Sequence, residues 1–308
     1  MSLLKKIKNS NFNFVRNGRW FFIAPAVILL IGVLMFAILG FNLGLDFTGG
    51  TVVSVNADGA FTKAQIEEKM DSFDVKYTIV KEQSTSGGNT FSIKFNAGDN
   101  IENITTELQE YLGSDYLEST TSTDTTIQET IMTVFWSILA ALAGLIVYML
   151  IRFKFTSGMA TILALMHDVL MICSLMAIFR IEINASFIAA ILTVLAYSIN
   201  NSLVVFDRVR TLEKGNTENH TLEHIINKSI NTTLGRSILT MITTLGTLLV
   251  LTVISIIMQL NTLIEFALPI IFGLVAGTYS SLFLIAPLYM QFETARLYRK
   301  QRKIATTK

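Results

Sequence analysis

Long apolar runs alternate with polar stretches along this chain, and the alternation sets its layout. The apolar runs are Trp20–Leu39, Ile131–Ile151, Thr156–Phe179, Asn184–Phe206, Ser237–Met258 and Leu263–Met290. Each is near the roughly 20 residues that a helix needs to cross a bilayer, so six transmembrane helices are predicted. Between the first two runs, from Phe41 to about Glu129, the chain turns polar and mostly acidic. There the pattern predicts strands at Thr51–Asn56, Val75–Glu82, Thr90–Asn96 and Tyr116–Thr121, and helices at Thr62–Ser72 and Asn100–Leu112. Thr62 and Gln65 form a capping-box pair, Asp99 can cap the second helix and Gly113 can end it. Ser84–Asn89, with Gly87 and Gly88, suits a loop tip between the central strands.

That βαββαβ order is the ferredoxin-like split βαβ unit, a small sheet with two helices on one face. The expected fold class is therefore an α-helical membrane protein with six transmembrane helices and a small α+β extracytoplasmic domain. The division is 1–19, a cytoplasmic segment; 20–40, the first transmembrane helix; 41–129, the ferredoxin-like domain; 130–290, helices two to six; and 291–308, a basic cytoplasmic tail. Because fold alone does not give function, the domain reads as a binding or hinge module.

Composition agrees with a membrane protein: 51% of the 308 residues are hydrophobic and 15% charged. A single cysteine, Cys173, lies in an apolar run, which excludes a disulfide framework and a Cys-rich metal site. The net charge of +1 gives no global field for nucleic acid or acidic substrates. Charge acts by position instead. Arg152 and Lys154 fall between runs two and three; Arg208, Arg210, Lys214 and Lys228 between four and five; Arg296, Arg299, Lys300, Arg302 and Lys303 after run six. In the short loops of the other side Arg180 stands alone. Both termini are thus expected in the cytoplasm, with the domain on the opposite side. A signal peptide would have a shorter apolar core and a small-residue cleavage site, so the basic segment before Trp20 reads as the flank of an uncleaved anchor.

Few polar groups interrupt the apolar runs. His167 and Asp168 lie mid-run in the third, where ionisable residues mark functional sites by default and interhelical hydrogen bonding is the structural alternative. Adjacent helix positions do not face each other, so the two are expected to meet different partners. Asn200 and Asn201, with Ser198 and Ser202, sit toward the cytoplasmic end of the fourth. Arg236 opens the fifth and either snorkels to the interface or turns inward, snorkelling being favoured. Asp207, Arg208 and Arg210 are better read as a charged helix end that fixes topology than as chemistry. Gly273 and Gly277 form a GxxxG that permits close helix contact. His220, Glu223 and His224 match H-x-x-E-H, but the loop is short and offers no third ligand, so a metal site is rejected. No Walker A loop is present, and the polar domain holds neither His nor Cys; no enzyme chemistry and no cofactor are expected.

Five ordered runs, GLDFTGGT at Gly44–Thr51, ALMHDV at Ala164–Val169, YSINNSLVVFDRVR at Tyr197–Arg210, SINTTLGRSILT at Ser229–Thr240 and GTYSSLFLIAPL at Gly277–Leu288, resemble the SecF branch of the SecD/SecF family. The resemblance covers nearly the whole chain from Phe41 to Leu288 and agrees with the derived layout. It marks Gly44, Asp46, Gly49, Gly50, Asp207 and Arg208 as family motif residues. It implies half of a bundle like that of the resistance-nodulation-division (RND) transporters. The implied role is an accessory subunit of the Sec translocase that, with SecD, uses the proton or sodium motive force to promote protein export through SecYEG. YajC and YidC are further candidate partners, preproteins the substrates and membrane lipid the surroundings. The family's fourth span usually reads Y-S-I-N-D-T, whose aspartate is tied to ion movement; here that position is Asn201, while Arg236 falls on the family's arginine. Three explanations stay open: SecD supplies the acid, Asp168 or His167 takes over, or a substitution has removed the charge. The first is preferred. The runner-up function is a half-transporter of the RND superfamily moving a small molecule or lipid, although such exporters carry two six-span halves and larger external domains.

Overall fold

A computed structural model describes residues 13–56, 61–73, 75, 77–83, 89–96, 101–113, 117–122, 124–215 and 220–306. Among them six helices are long and apolar enough to span a membrane: Gly18–Leu39, Ile127–Arg152, Phe155–Phe179, Ala185–Lys214, Leu222–Ile257 and Asn261–Arg302. These are called the first to sixth spans below. The fourth and sixth run past their apolar stretches and the fifth begins well before its own. An apolar run measures bilayer thickness, whereas a helix continues as long as one face is buried. Here Val209, Ile225, Ile226 and Ile230 from these overhangs pack around Phe14, Phe206 and Tyr289 in one apolar cluster.

The third, fourth and sixth spans form the centre of the bundle, while the first, second and fifth leave most of their surface bare. Ile172, Ala190, Val194, Leu195, Ile270 and Leu274 fill the middle. Close approach of the sixth span to the fourth depends on missing side chains. A Cβ at Gly273 would lie 2.3 Å from Val194, and one at Gly277 would lie 3.1 Å from Ser198. The sixth span also contains Pro269 and a π-helical turn, Ser280–Leu284.

Strands β1 (Gly50–Asn56), β2 (Tyr77–Gln83), β3 (Asn89–Asn96) and β4 (Leu117–Ser122) form one sheet in the order β2-β3-β1-β4. All neighbours are antiparallel, as the ferredoxin-like order requires. Alternation puts Val53 and Val55 of β1 and Phe91, Ile93 and Phe95 of β3 on the inner face. Helices Lys63–Asp71 and Ile101–Leu112 cover that face with Ile66, Met70, Ile104 and Leu108. Gln65 Oε1 accepts the Thr62 N–H at 2.9 Å. The expected loop tip at 84–88, the cap at Asp99, and residues 1–12 and 307–308 of the termini lie outside the described residues.

Between the first span and β1 the chain is stitched to the loop joining the third and fourth spans. Leu43 and Ile183 form a parallel bridge, the Gly44 N–H donates to Ile183 O at 2.8 Å, and the Ile183 N–H donates to Asn42 O at 2.8 Å. Arg180 Nη1 donates to Gly40 O at 2.6 Å. The domain thus stands on the bundle through a short hydrogen-bonded joint.

Candidate functional site

Asp168 lies at the centre of the bundle with no exposed surface. A carboxyl in such a place requires partners, because its desolvation costs several kcal/mol. It has three. Ser198 Oγ of the fourth span donates to Oδ2 at 2.5 Å, Ser280 Oγ of the sixth donates to the same oxygen at 3.0 Å, and His167 Nδ1 lies 3.0 Å from Oδ1. One side chain therefore ties three spans together. Two local features of the sixth span allow this. Gly277 leaves room, since a Cβ there would come within 3.5 Å of Asp168 Oδ2, and the π turn that begins at Ser280 re-aims the serine inward.

The expectation that His167 and Asp168 would meet different partners is corrected in part. Their Cβ directions diverge by about 100°, but the imidazole is long enough to fold along the helix to its neighbour, so the side chains touch. Asp168 also reaches two other helices. With Nδ1 donating, Nε2 of a neutral His167 is an acceptor, and it is buried with no partner among the described residues.

The amides of the fourth span separate. Asn200 is exposed, whereas Asn201 is 3% exposed and its Nδ2 has no partner among the described residues. Successive helix positions point about 100° apart, so only one of the two can face the core. Arg236 is exposed on the fifth span, and no hydrogen bond joins it to Asn201. At the far end of the fourth span, Asp207 Oδ1 lies 3.7 Å from Arg152 Nη2 in an exposed pair. Arg208 Nε is buried without a partner among the described residues. The His220 and His224 rings lie 4.5 Å apart between centroids, tilted by 33°.

The glycine-rich run occupies the joint. Asp46 Oδ2 accepts the Ala185 N–H at 2.8 Å, placing a carboxylate at the positive end of the fourth helix. Asn184 caps the same helix, accepting from Phe187 N–H at 3.2 Å, and its Nδ2 donates to Glu265 of the sixth span at 2.6 Å. From the domain, Lys94 Nζ reaches Glu182 Oε1 at 3.0 Å. Burial alone would lower the Lys94 pKa, but Glu182, with Glu265 and Asp46 farther off, outweighs it and holds the ammonium above the usual lysine value. A folded value above the unfolded one means that the tether contributes below about pH 10.5 and is lost only as pH rises beyond it. Lys94 and Glu182 border a polar cleft of about 530 Å³ that includes Asn42, Gly44, Thr48, Tyr77 and Thr78.

Asp46, Lys94, Glu182 and Glu265 make contacts at the joint that sequence reading alone did not bring together. Only Asn184, an N-cap residue before an apolar run, carried a local signal. Asp46→Ala is expected to cost about 0.5–2 kcal/mol, the range for losing a helix cap, measured as detergent-solubilised unfolding against Asp46→Asn, which keeps an acceptor.

Three comparisons bear on these residues. Residues 104–295 match the family model "Protein export membrane protein SecD/SecF, C-terminal", and residues 35–60 match the SecD/SecF GG motif. A SecF subunit of Alicyclobacillus acidocaldarius is 30% identical over 94% of this chain and 96% of its own length. SecF of Rickettsia typhi is 32% identical over 94% of each chain. The single-chain SecDF of Bacillus subtilis is 29% identical, with 93% of this chain matching 39% of that protein. Among solved structures, SecDF from Thermus thermophilus superposes with a TM-score of 0.73 at 27% identity over 93% of this chain and 39% of that one. This chain therefore spans about two fifths of the SecDF proteins it matches and nearly all of the SecF proteins.

Proposed function

The chain belongs to the SecD/SecF family of protein-export membrane proteins, and from that premise we propose that it is an accessory subunit of the Sec translocase that pairs with SecD. The near end-to-end match to SecF subunits carries this reading. In it, the pair sits beside SecYEG, with YajC and YidC as further neighbours, and promotes late export of preproteins. Both termini are cytoplasmic and the domain at 41–129 faces outward, an orientation that rests on the lysines and arginines of the short loops. The proton or sodium motive force enters through a carboxyl of SecD, because position 201 of this chain is an amide and cannot titrate. Arg236, bare on a bare span, is the counter-charge that this acid meets across the pair. An acid held by a fixed arginine is ionised until a proton or cation relieves it, which gives a two-state element.

Purification in a mild detergent is expected to recover a second six-span protein with this chain; recovery of a homo-oligomer alone would count against the pairing. Asn201→Asp is expected to raise preprotein translocation driven by an imposed pH gradient in membrane vesicles, since it adds a titrating group beside one already present. An unchanged rate would assign position 201 to packing.

A further inference from the structure

Two depressions along the second, third and fourth spans take no part in the polar centre or the joint. The first, of about 370 Å³, lies on the side that holds both termini and is lined by Arg152, Lys154, Arg210 and Lys214 over a floor that includes Phe206 and Tyr289. Glu213 is the one carboxylate among its lining residues, and Lys154 already engages it at 2.6 Å. Arg152 is only loosely held, 3.7 Å from Asp207. Arg210 and Lys214, one helical turn apart, are exposed, and neither makes an ion pair among the described residues. Among the described residues, Arg210 and Lys214 therefore give the pocket positive charge that no ion pair offsets.

The second depression is an almost wholly apolar groove of about 350 Å³ between the second and third spans, walled by Leu142, Leu145 and Met149 on one side and Leu165, Met166 and Val169 on the other. Met149 precedes Arg152 by about one helical turn, so the groove runs into the basic pocket. Ile151 and Phe155, next to Arg152 and Lys154 in the chain, are 82% and 66% exposed, so bare apolar surface adjoins the basic residues. A free anion would fill the pocket and leave the groove empty. A partner helix would fill the groove and face uncompensated cations. One ligand class matches both: we propose that this is a binding site for an anionic phospholipid, its phosphate held by Arg152, Arg210 and Lys214 and one acyl chain lying in the groove. Arginine offers phosphate a bidentate fork, and basic pockets between spans at this depth suit acidic head groups.

The test is native mass spectrometry of the full chain, purified with whatever membrane partner accompanies it, after addition of dioleoylphosphatidylglycerol, dioleoylphosphatidylcholine or glycerol phosphate. The phosphatidylglycerol adduct is expected to persist where the phosphatidylcholine adduct is stripped. At about fivefold for each interfacial cation, Arg210→Gln with Lys214→Gln should weaken it about thirtyfold. Lys228→Gln with Arg299→Gln, two exposed cations on the same side and outside the pocket, should leave it unchanged. Met166→Trp, which crowds the groove from an exposed position, should weaken lipid retention as well. Equal retention of the two lipids, equal loss in the control pair, displacement by glycerol phosphate, or disappearance of the adduct whenever a membrane partner copurifies would each overturn the assignment.

Discussion

Asp168→Ala is expected to loosen the bundle by about 2–4 kcal/mol and to remove the chain's contribution to export. Lost are two interhelical hydrogen bonds at about 0.6–1.7 kcal/mol each, and the Ser198 hydroxyl is left buried without an acceptor at about 1 kcal/mol, whereas Ser280 Oγ keeps Gly277 O at 3.2 Å. Ser198 and Ser280 both donate to the same oxygen, so one truncation frees the third span from the fourth and the sixth together. Asp168→Asn separates geometry from charge. Its carbonyl oxygen has two lone pairs for the two serines, and its amide can donate to His167 Nδ1 once the imidazole proton moves to Nε2. The asparagine variant should therefore unfold near the wild-type midpoint and, if SecD carries the titrating acid, should still support export. Unfolding in detergent and preprotein translocation, measured on both variants, decide this. A stable Asp168→Asn protein that no longer responds to a pH gradient would move ion coupling to Asp168 and remove the need for a carboxyl from SecD.

The spans and strands were legible because each has a period that one chain displays on its own: length for the spans, alternation for Thr51–Asn56 and Thr90–Asn96, capping at Thr62. What was not legible depends on which way a residue faces. Asn200 and Asn201 look alike in sequence, yet one is exposed and the other buried, since the rotation between them is invisible without neighbours. The same limit hid the meeting of Asp168 with Ser198 and Ser280, residues 30 and 112 positions away. The π turn at Ser280, which makes the second of these contacts, follows from packing of the sixth span and has no local signature of its own. Helix ends beyond the bilayer were also missed, because Val209, Ile225 and Ile230 are buried by one another and not by lipid. The glycine-rich run was visible as a motif. Its role as a joint was not, because Ala185, Ile183 and Glu182 lie far along the chain.

Gly50→Ala is expected to disrupt the outer domain more than any other single-methyl addition at the joint. A Cβ at Gly50 would lie 2.1 Å from the Phe95 carbonyl oxygen and 2.8 Å from Leu45 Cδ2, and φ there is +148°, a region that side chains avoid. Backbone cannot swing aside as a flexible side chain can, so the first rung of the sheet must open. That rung pairs Gly50 with Asn96 of β3 and with Ser122 of β4, so both neighbours of β1 are displaced. Gly49, at φ 75° and ψ 165°, carries a strain cost of about 1–3 kcal/mol for any side chain. Gly40, at φ +64°, has open space around it, so an alanine there meets strain without a clash. Limited proteolysis and thermal unfolding of the three alanine variants should therefore order them with Gly50 worst and Gly49 and Gly40 milder and similar. Because Lys94 of the neighbouring strand is what holds the domain to Glu182, the Gly50 variant should also free the loop between the third and fourth spans, seen as faster amide exchange at Ile183 and Ala185. Wild-type protease resistance in Gly50→Ala would mean that the joint yields without cost, and the glycine pair would then be needed for movement and not for close packing.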